Sequence, residues 1–198
     1  MDDDEAKTPL SKENPYAHCD EIAERILLYK ESVKDGLIGY DEEGPYVVWH
    51  EETDISGYTN NEQKDILLGF LRKDFEHGIY NNAIGIEIRM TNGSIKKVSQ
   101  NATRGQRNIA VYSKQLVMIA ELTRKTAYNG KRRTDVKEVI YFKARIKIRE
   151  LMYCVQLNIF DSRISGYQLY DINKISQVGG PRSESEVHSG IDSILGEG

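Results

Sequence analysis

The sequence is poor in several residue types that mark particular classes of protein. Its 198 residues include only two cysteines, four prolines, four histidines and one tryptophan. Two distant cysteines do not supply the disulfide framework of a small secreted domain, so we expect a reduced, cytoplasmic protein. The histidines are scattered, and no group of His and Cys has the spacing of a metal site. We therefore expect neither a metal ion nor another cofactor.

Long apolar runs are also missing. No stretch approaches the ~20 apolar residues of a membrane-spanning helix. The acidic start of the chain lacks the basic and apolar regions of a signal peptide. Hydrophobic residues make up 39% of the chain, which is sufficient for a core. These features predict one domain with appendages, or two small domains, and no contact with a membrane.

Charge is divided unevenly along the chain. Residues 1–83 contain 8 lysines and arginines against 20 aspartates and glutamates, whereas residues 84–178 contain 18 against 7. Such an asymmetry indicates a polyanion-binding part with an acidic companion. The predicted regions are an acidic flexible tail (1–13), an acidic, mainly helical region (14–82), a basic α+β domain (83–178) and a flexible C-terminal tail (179–198).

Capping residues and apolar periodicity predict the first elements. A helix follows the Asn14 N-cap, a short strand covers Tyr46–His50, and a second helix follows the Asn60 N-cap. Ala83–Met90 alternates as a strand does. The Asn-Gly pair after it fits either a hairpin turn or the start of a helix near Ile95.

The next elements lie in the basic half. Residues 99–109 are polar and predict a loop, and the stretch from Ala110 to Thr126 has an apolar side that predicts a third helix. A basic loop, Tyr128–Lys137, leads to three strands within Val139–Ile175. The first of these strands has an apolar face and an opposite face that carries Tyr141, Lys143, Arg145, Lys147 and Arg149. Such a row of cations is able to bind a polyanion, and it is also typical of an ordinary solvated sheet face.

Three segments of Ile84–Ile175 carry a resemblance to a known family: Ser94–Lys97, the first long strand with its Arg-Glu turn, and the closing Leu169–Ile172. The stretch resembles the large polyvalent protein-associated domains of phages and conjugative elements. Those domains are grouped with phage nucleases of the barnase–EndoU–colicin–RelE-like fold. The resemblance implies an α+β fold, with an antiparallel sheet of about four strands packed against a helix. It also implies relatives that are metal-independent ribonucleases and others that are not catalytic.

Metal-independent RNA cleavage needs a base for the 2′-hydroxyl group, cations around the phosphate and an acid for the leaving oxygen. Enzymes of RelE type use Lys, Arg and Tyr for these roles, so the candidate catalytic residues are Lys143, Arg145, Tyr153 and Tyr170. Residues 84–178 contain no histidine, so cleavage would require a lysine of lowered pKa as the base, and this requirement favours the non-catalytic relatives. The candidate nucleic-acid-binding residues are cations of the basic half: Lys96, Lys97, Arg104, Arg107, Lys131, Arg132, Arg133, Lys147 and Arg149.

Two functions follow from these patterns. The first is a phage or mobile-element protein with an RNA-binding domain that resembles metal-independent endoribonucleases. The alternative is a non-catalytic interaction protein, an anti-defence or regulatory inhibitor, whose acidic N-terminal region binds a host protein complex.

Overall fold

The computed structural model describes residues 17–131 and 133–178. These residues form five α-helices, one 3₁₀ turn and eight strands, which confirms the predicted α+β class. The predicted tails (1–13 and 179–198), the Asn14 cap and Arg132 lie outside the described residues. None of the described helices is long and apolar enough to cross a membrane.

The elements alternate along the chain. The helices are α1 (Ala17–Lys34), α2 (Asn60–Asp74), α3 (Asn92–Asn101), α4 (Arg104–Ala110) and α5 (Ser113–Ile119), and the 3₁₀ turn is Glu51–Thr53. The strands are β1 (Ile38–Asp41), β2 (Gly44–Val48), β3 (Ile79–Asn81), β4 (Ile86–Arg89), β5 (Glu121–Ala127), β6 (Val136–Ile148), β7 (Leu151–Ser162) and β8 (Gly166–Gln177).

The eight strands of the described chain form one mixed sheet. Its order is β1-β2-β6-β7-β8-β4-β3, and β5 pairs with β6. Strands β5 to β8 are antiparallel, whereas β2 joins β6 and β4 joins β8 in parallel. The predicted sheet of about four antiparallel strands is therefore wrong. Strands β1 and β3 extend the sheet, but they contain only four and three residues, which is too short for a readable alternation.

Irregular pairing curls the long strands. Register shifts interrupt β5–β6 between Leu122 and Arg124 and β6–β7 between Val136 and Glu138, and β7–β8 has two further shifts. Each such irregularity bends a strand and increases its twist. One shift in β7–β8 lies beside Lys174, whose φ of 47° is rare for a residue with a side chain.

One face of the sheet is covered by helices. Helices α3 and α4 contact β8, α5 contacts β2, β3 and β6, and α2 packs on α3 and α4. The predicted apolar face of β6 lies under this layer, where its residues are 0–3% exposed. Those residues are Phe142, Ala144, Ile146 and Ile148. The other face of β6 carries Lys143, Arg145 and Lys147, three of the side chains that the sequence assigned to function.

Two segments of the helical layer differ from the prediction. The predicted loop 99–109 contains the end of α3 and all of α4, because the Thr103 side chain and the Gln106 side chain cap α4 reciprocally. The predicted helix from Ala110 to Thr126 ends at Ile119, and the following residues form β5. Pairing with β6 determines this change, and such non-local pairing overrides local helix propensity. The N-cap of α2 is Thr59 rather than the predicted Asn60.

Candidate nucleic-acid interface

Alternate side chains of β6, β7 and β8 point away from the helices, and we call this surface the open face. The β6 residues on it are Tyr141, Lys143, Arg145 and Lys147, and the β7 residues opposite them are Asn158, Gln156, Cys154 and Met152. The strand alternation therefore places the predicted cation row on one side of the sheet, away from the core. A ligand is able to reach only those cations that are not already occupied by a partner within the protein, so the contacts of each cation are described in turn.

Arg145 is held by the loop between β1 and β2, which we call the acidic turn (Asp41–Gly44). Its guanidinium donates two hydrogen bonds to the Asp41 carboxylate, at 2.5 and 3.0 Å, and one to Glu43 at 2.8 Å. A fourth bond, of 2.7 Å, goes to the Gly44 carbonyl. Hydrogen bonding to the guanidinium lowers the pKa of Asp41 and raises the pKa of Arg145. In this arrangement the predicted catalytic cation is 12% exposed and has carboxylates where a phosphate would bind.

The last two cations of the row lie at the end of β6. The Lys147 ammonium group is 3.5 Å from the Glu150 carboxylate, in an exposed pair that contributes little stability. Arg149 is exposed and occupies the tight turn between β6 and β7 with a φ of 53°. Both predicted binding residues therefore border the open face and remain accessible.

Lys143 differs from its neighbours because it is exposed and forms no ion pair within the described part of the chain. It lines a depression of about 430 Å³ together with Lys174 of β8. Lys174 is also exposed and unpaired among the described residues, and its left-handed backbone lies beside the β7–β8 irregularity. The rest of the lining is uncharged. It includes the polar residues Thr123, Cys154, Gln156 and Ser176 and the apolar residues Phe142, Val155 and Ile175. Glu121 of β5 is opposite Lys143 in the strand register but forms no ion pair with it. Two unpaired ammonium groups beside neutral donors form a site that suits a phosphate.

Tyr170 and Lys97 lie together on the β8 side. The Lys97 ammonium group is 2.7 Å from Asp171 Oδ2 and 3.7 Å from the centre of the Tyr170 ring. The Phe160 ring stacks on Tyr170 with 4.1 Å between the ring centres. Because Lys97 and Phe160 are both this close to the ring, they occupy its opposite sides. A base therefore has no free surface of Tyr170 on which to stack.

Arg133 is likewise engaged. Its guanidinium donates two hydrogen bonds to Asp135, at 3.1 and 2.9 Å, and one to Gln168 at 3.3 Å. Asp135 also accepts a 2.7 Å bond from the Ser162 hydroxyl. Hydrogen bonds from Arg133 and Ser162 hold the pKa of Asp135 well below its ordinary value. This predicted binding residue fastens the basic loop to the end of β7.

Two predicted site residues point elsewhere. Tyr153 is 1% exposed in the core, where burial raises the pKa of its hydroxyl. Arg107 is 5% exposed, and its guanidinium donates to Gln63, Asn60 and the Ala102 carbonyl. The structure thus gives both residues a position inside the molecule. The predicted cations Lys96, Arg104 and Lys131 are exposed, on α3, on α4 and in the basic loop.

Several residues of the open face were not identified as candidates by the sequence analysis. Gln156 donates hydrogen bonds to Asn158 at 2.8 Å and to Asn173 at 3.3 Å, which forms a row of amides beside Lys143. The alternation of β7 would have placed Gln156 and Asn158 on the same face as the cations of β6. The position of Lys174 depends on an irregularity in the pairing of β7 and β8. The contact of Asp41 with Arg145 joins residues 104 positions apart. Neither feature could be recognised from the neighbouring sequence.

The described residues contain no group of three or more His, Cys, Asp or Glu side chains that is able to hold a metal ion. The polar groups that line the depression are ammonium, amide, hydroxyl and thiol groups. Such groups bind phosphate oxygens and sugar hydroxyls directly.

Comparison with known proteins gives a family for the chain. No curated protein and no solved structure is significantly similar to it. The sequence profile of one family, large polyvalent protein-associated domain 3, matches residues 59–170. The match begins at Thr59, the N-cap of α2, and so reaches further toward the N-terminus than the resemblance that began at Ile84. It carries no information on nuclease chemistry, which stays a prediction. Since the matched region covers more than half of the 198 residues, the chain belongs to the large polyvalent protein-associated domain 3 family.

Proposed function

We propose that the open face binds single-stranded RNA through its phosphates and that the depression between Lys143 and Lys174 is the main phosphate site. The observation that supports this most directly is the pairing state of the cations. Arg133 and Arg145 are neutralised by carboxylates, whereas both lysines of the depression are exposed and unpaired in the described chain. A phosphate that enters the depression meets two positive charges, and its counterions are released.

The uncharged polar side chains in and beside the depression favour RNA as the ligand. Gln156 continues into the amide row with Asn158 and Asn173, and Ser176 and Thr123 supply hydroxyl groups. These side chains are able to donate to and accept from a ribose 2′-hydroxyl, which DNA lacks. Binding is supported better than cleavage, because the base, the acid and the cation of a cleavage reaction are not assembled here. Arg145 is clamped, Tyr153 lies in the core, and the Tyr170 ring is in contact with Lys97 and Phe160.

The test is fluorescence anisotropy of labelled single-stranded RNA over a series of salt concentrations, in EDTA. The variant is Lys143→Gln with Lys174→Gln, and glutamine at Lys174 keeps a side chain on the same left-handed backbone. We expect several-fold weaker binding and a salt slope that is smaller by about 1.4, at ~0.7 for each lost phosphate contact on a single strand.

The matched control is Lys30→Gln with Lys34→Gln, which removes the same charge from exposed positions of α1. It should leave the salt slope unchanged. Equal binding of RNA by both double variants would refute the depression as the site, and an absence of salt-dependent binding by the unaltered protein would refute RNA binding.

Single-stranded DNA of the same sequence tests the preference for ribose. Intact RNA after long incubation would remove the prediction of metal-independent cleavage.

A second function, binding to a protein partner through the N-terminal region, is supported by α1. Ile26 is 50% exposed, Leu27 56% and Val33 37%, and clustered exposed apolar side chains of this kind mark contact surfaces. The test is recovery of a stoichiometric partner by the immobilised protein. The partner should no longer be recovered with Ile26→Ser and Leu27→Ser together, and it should still be recovered with Lys143→Gln and Lys174→Gln. If the serine variant retains the partner and the glutamine variant loses it, α1 is not the binding surface.

A further inference from the structure

The guanidinium of Arg145 is bound as an arginine binds a phosphate. It faces two carboxylates and a carbonyl, with bidentate contact to Asp41 and a further bond to Glu43. Arginine recognises phosphate through the same fork of N–H donors, with two parallel bonds to two oxygens. The acidic turn therefore supplies to Arg145 the oxygen atoms that a nucleic-acid backbone would supply.

The position of Arg145 links this contact to the RNA site. Arg145 lies two residues beyond Lys143 on the same side of β6, and alternate residues of a strand are roughly 7 Å apart. With the acidic turn removed from it, Arg145 would extend the positive surface of the depression along the strand. With the turn in place, Lys143 has two carboxylates nearby that repel a phosphate.

Release of Arg145 needs only a local change. The base of the β1–β2 hairpin is fixed in the core, since Ile38 is 3% exposed and Val47 is fully buried. The carboxylates of the turn are near solvent: the Asp41 side chain is 38% exposed and the Glu43 side chain 69%. A phosphate is therefore able to replace two side-chain carboxylates on the guanidinium while the hairpin keeps its place in the sheet.

We propose that Arg145 is a phosphate-binding residue of the open face and that the acidic turn is an autoinhibitory contact that competes with RNA for it. This inference rests on the proposed function, because it concerns the affinity of the same face for the same ligand. Arg145 binds either the acidic turn or an RNA phosphate, but not both at once. Removal of the negative charges of the turn therefore strengthens RNA binding.

The test compares RNA affinity and its salt dependence for Asp41→Asn with Glu43→Gln against a control of equal charge, Glu42→Gln with Glu51→Gln. Glu42 and Glu51 are exposed, and within the described residues their carboxylates form no ion pair. We expect the first variant to bind roughly fivefold more tightly than the control, with a salt slope larger by about 0.7, as for one additional phosphate contact. Arg145→Gln should abolish this gain in the neutralised background, and in the unaltered protein it should weaken RNA binding, because it leaves the Asp41 and Glu43 carboxylates without their cation.

Each outcome has a separate meaning. If the unaltered protein binds RNA and the turn variant binds no more tightly than the control, the turn only fastens the hairpin and the inference is refuted. If no variant shows salt-dependent binding, the proposed function fails first. Thermal unfolding of each variant checks that the fold is intact. The single variants Glu43→Gln and Glu42→Gln provide the same comparison with only one carboxylate of the turn neutralised. Tighter RNA binding by Glu43→Gln than by Glu42→Gln supports competition between the turn and RNA for Arg145.

Discussion

Arg107 provides a sharp test of the structure, because the sequence assigned it to nucleic-acid binding and the fold places it inside the molecule. It lies on α4, is 5% exposed and donates hydrogen bonds to three acceptors. The Gln63 Oε1 atom is 3.2 Å away, the Ala102 carbonyl 2.8 Å and the Asn60 Oδ1 atom 2.5 Å. The guanidinium therefore ties α2 to the segment between α3 and α4. Arg107→Gln should reduce stability and leave RNA binding unchanged.

The expected loss follows from the acceptors that remain. Gln63 is 2% exposed, so its carbonyl oxygen has no ready access to water once the guanidinium is removed. A buried group left without a partner costs about 1–3 kcal/mol, and the half-buried Ala102 carbonyl adds to the loss at Gln63, so a total of ~3 kcal/mol is expected. For a protein of this size, ~3 kcal/mol lowers the unfolding temperature by roughly 6–12 °C. Urea denaturation gives the free energy directly, and calorimetry gives the temperature.

Arg104→Gln is the matched control, because it removes the same charge from an exposed position of the same helix. An exposed substitution of this kind changes stability by less than ~0.5 kcal/mol. The reasoning is refuted if the two variants are equally stable. It is also refuted if Arg107→Gln folds normally and lowers the salt slope of RNA binding, since the guanidinium would then be reaching the ligand.

Two further predictions concern groups that fasten loops to the core. Asn81 is fully buried and donates to the Val117 and Ala120 carbonyls at 2.8 and 2.7 Å. Asn81→Ala leaves both carbonyls without a donor and should lower the free energy of unfolding by roughly 2–6 kcal/mol, measured by urea denaturation. A loss no larger than that of the exposed Asn82→Ala would contradict this role. Asp135 has a folded-state pKa below the ordinary 3.8, so its contribution to stability is present above that pH and is lost as the pH falls further. Asp135→Asn should flatten the decline in unfolding temperature between pH 5 and about pH 2, and an unchanged slope would exclude Asp135 as its source.

Local sequence signals were sufficient for elements whose structure depends on near neighbours. The alternation of β6 identified both its buried face and its cationic face, because a strand repeats every two residues whatever it pairs with. The same reasoning failed for the stretch from Ala110 to Thr126, where helical periodicity covers α5 but β5 forms by pairing with β6. All seven residues of β5 are exposed, so its own sequence carries no burial pattern that would indicate a strand.

The site was harder to predict than the fold, because a residue type indicates what a side chain is able to bind but not what already binds it. Lys97, Arg133 and Arg145 each have the charge that phosphate binding needs, and each is paired in the fold with a carboxylate. The partner of Lys97 lies 74 residues away and that of Arg145 lies 104 away, so the sequence around either cation contains no sign of it.

The acidic N-terminal part of the chain and the basic part after it contact each other in the fold, which the net charge of each part does not indicate. The part of the acidic region that the structure describes, from residue 17 onward, leaves Lys143 and Lys174 exposed. It contributes the hairpin β1–β2, whose turn neutralises Arg145, while Lys143 and Lys174 are left unpaired among the described residues. Because an ion pair removes a cation from phosphate binding unless a ligand displaces its partner, the number of unpaired cations measures the surface better than the number of basic residues. Under the proposed function, the depression is therefore the main point of attraction for a polyanion on the open face, and the acidic turn determines how far along β6 that attraction extends.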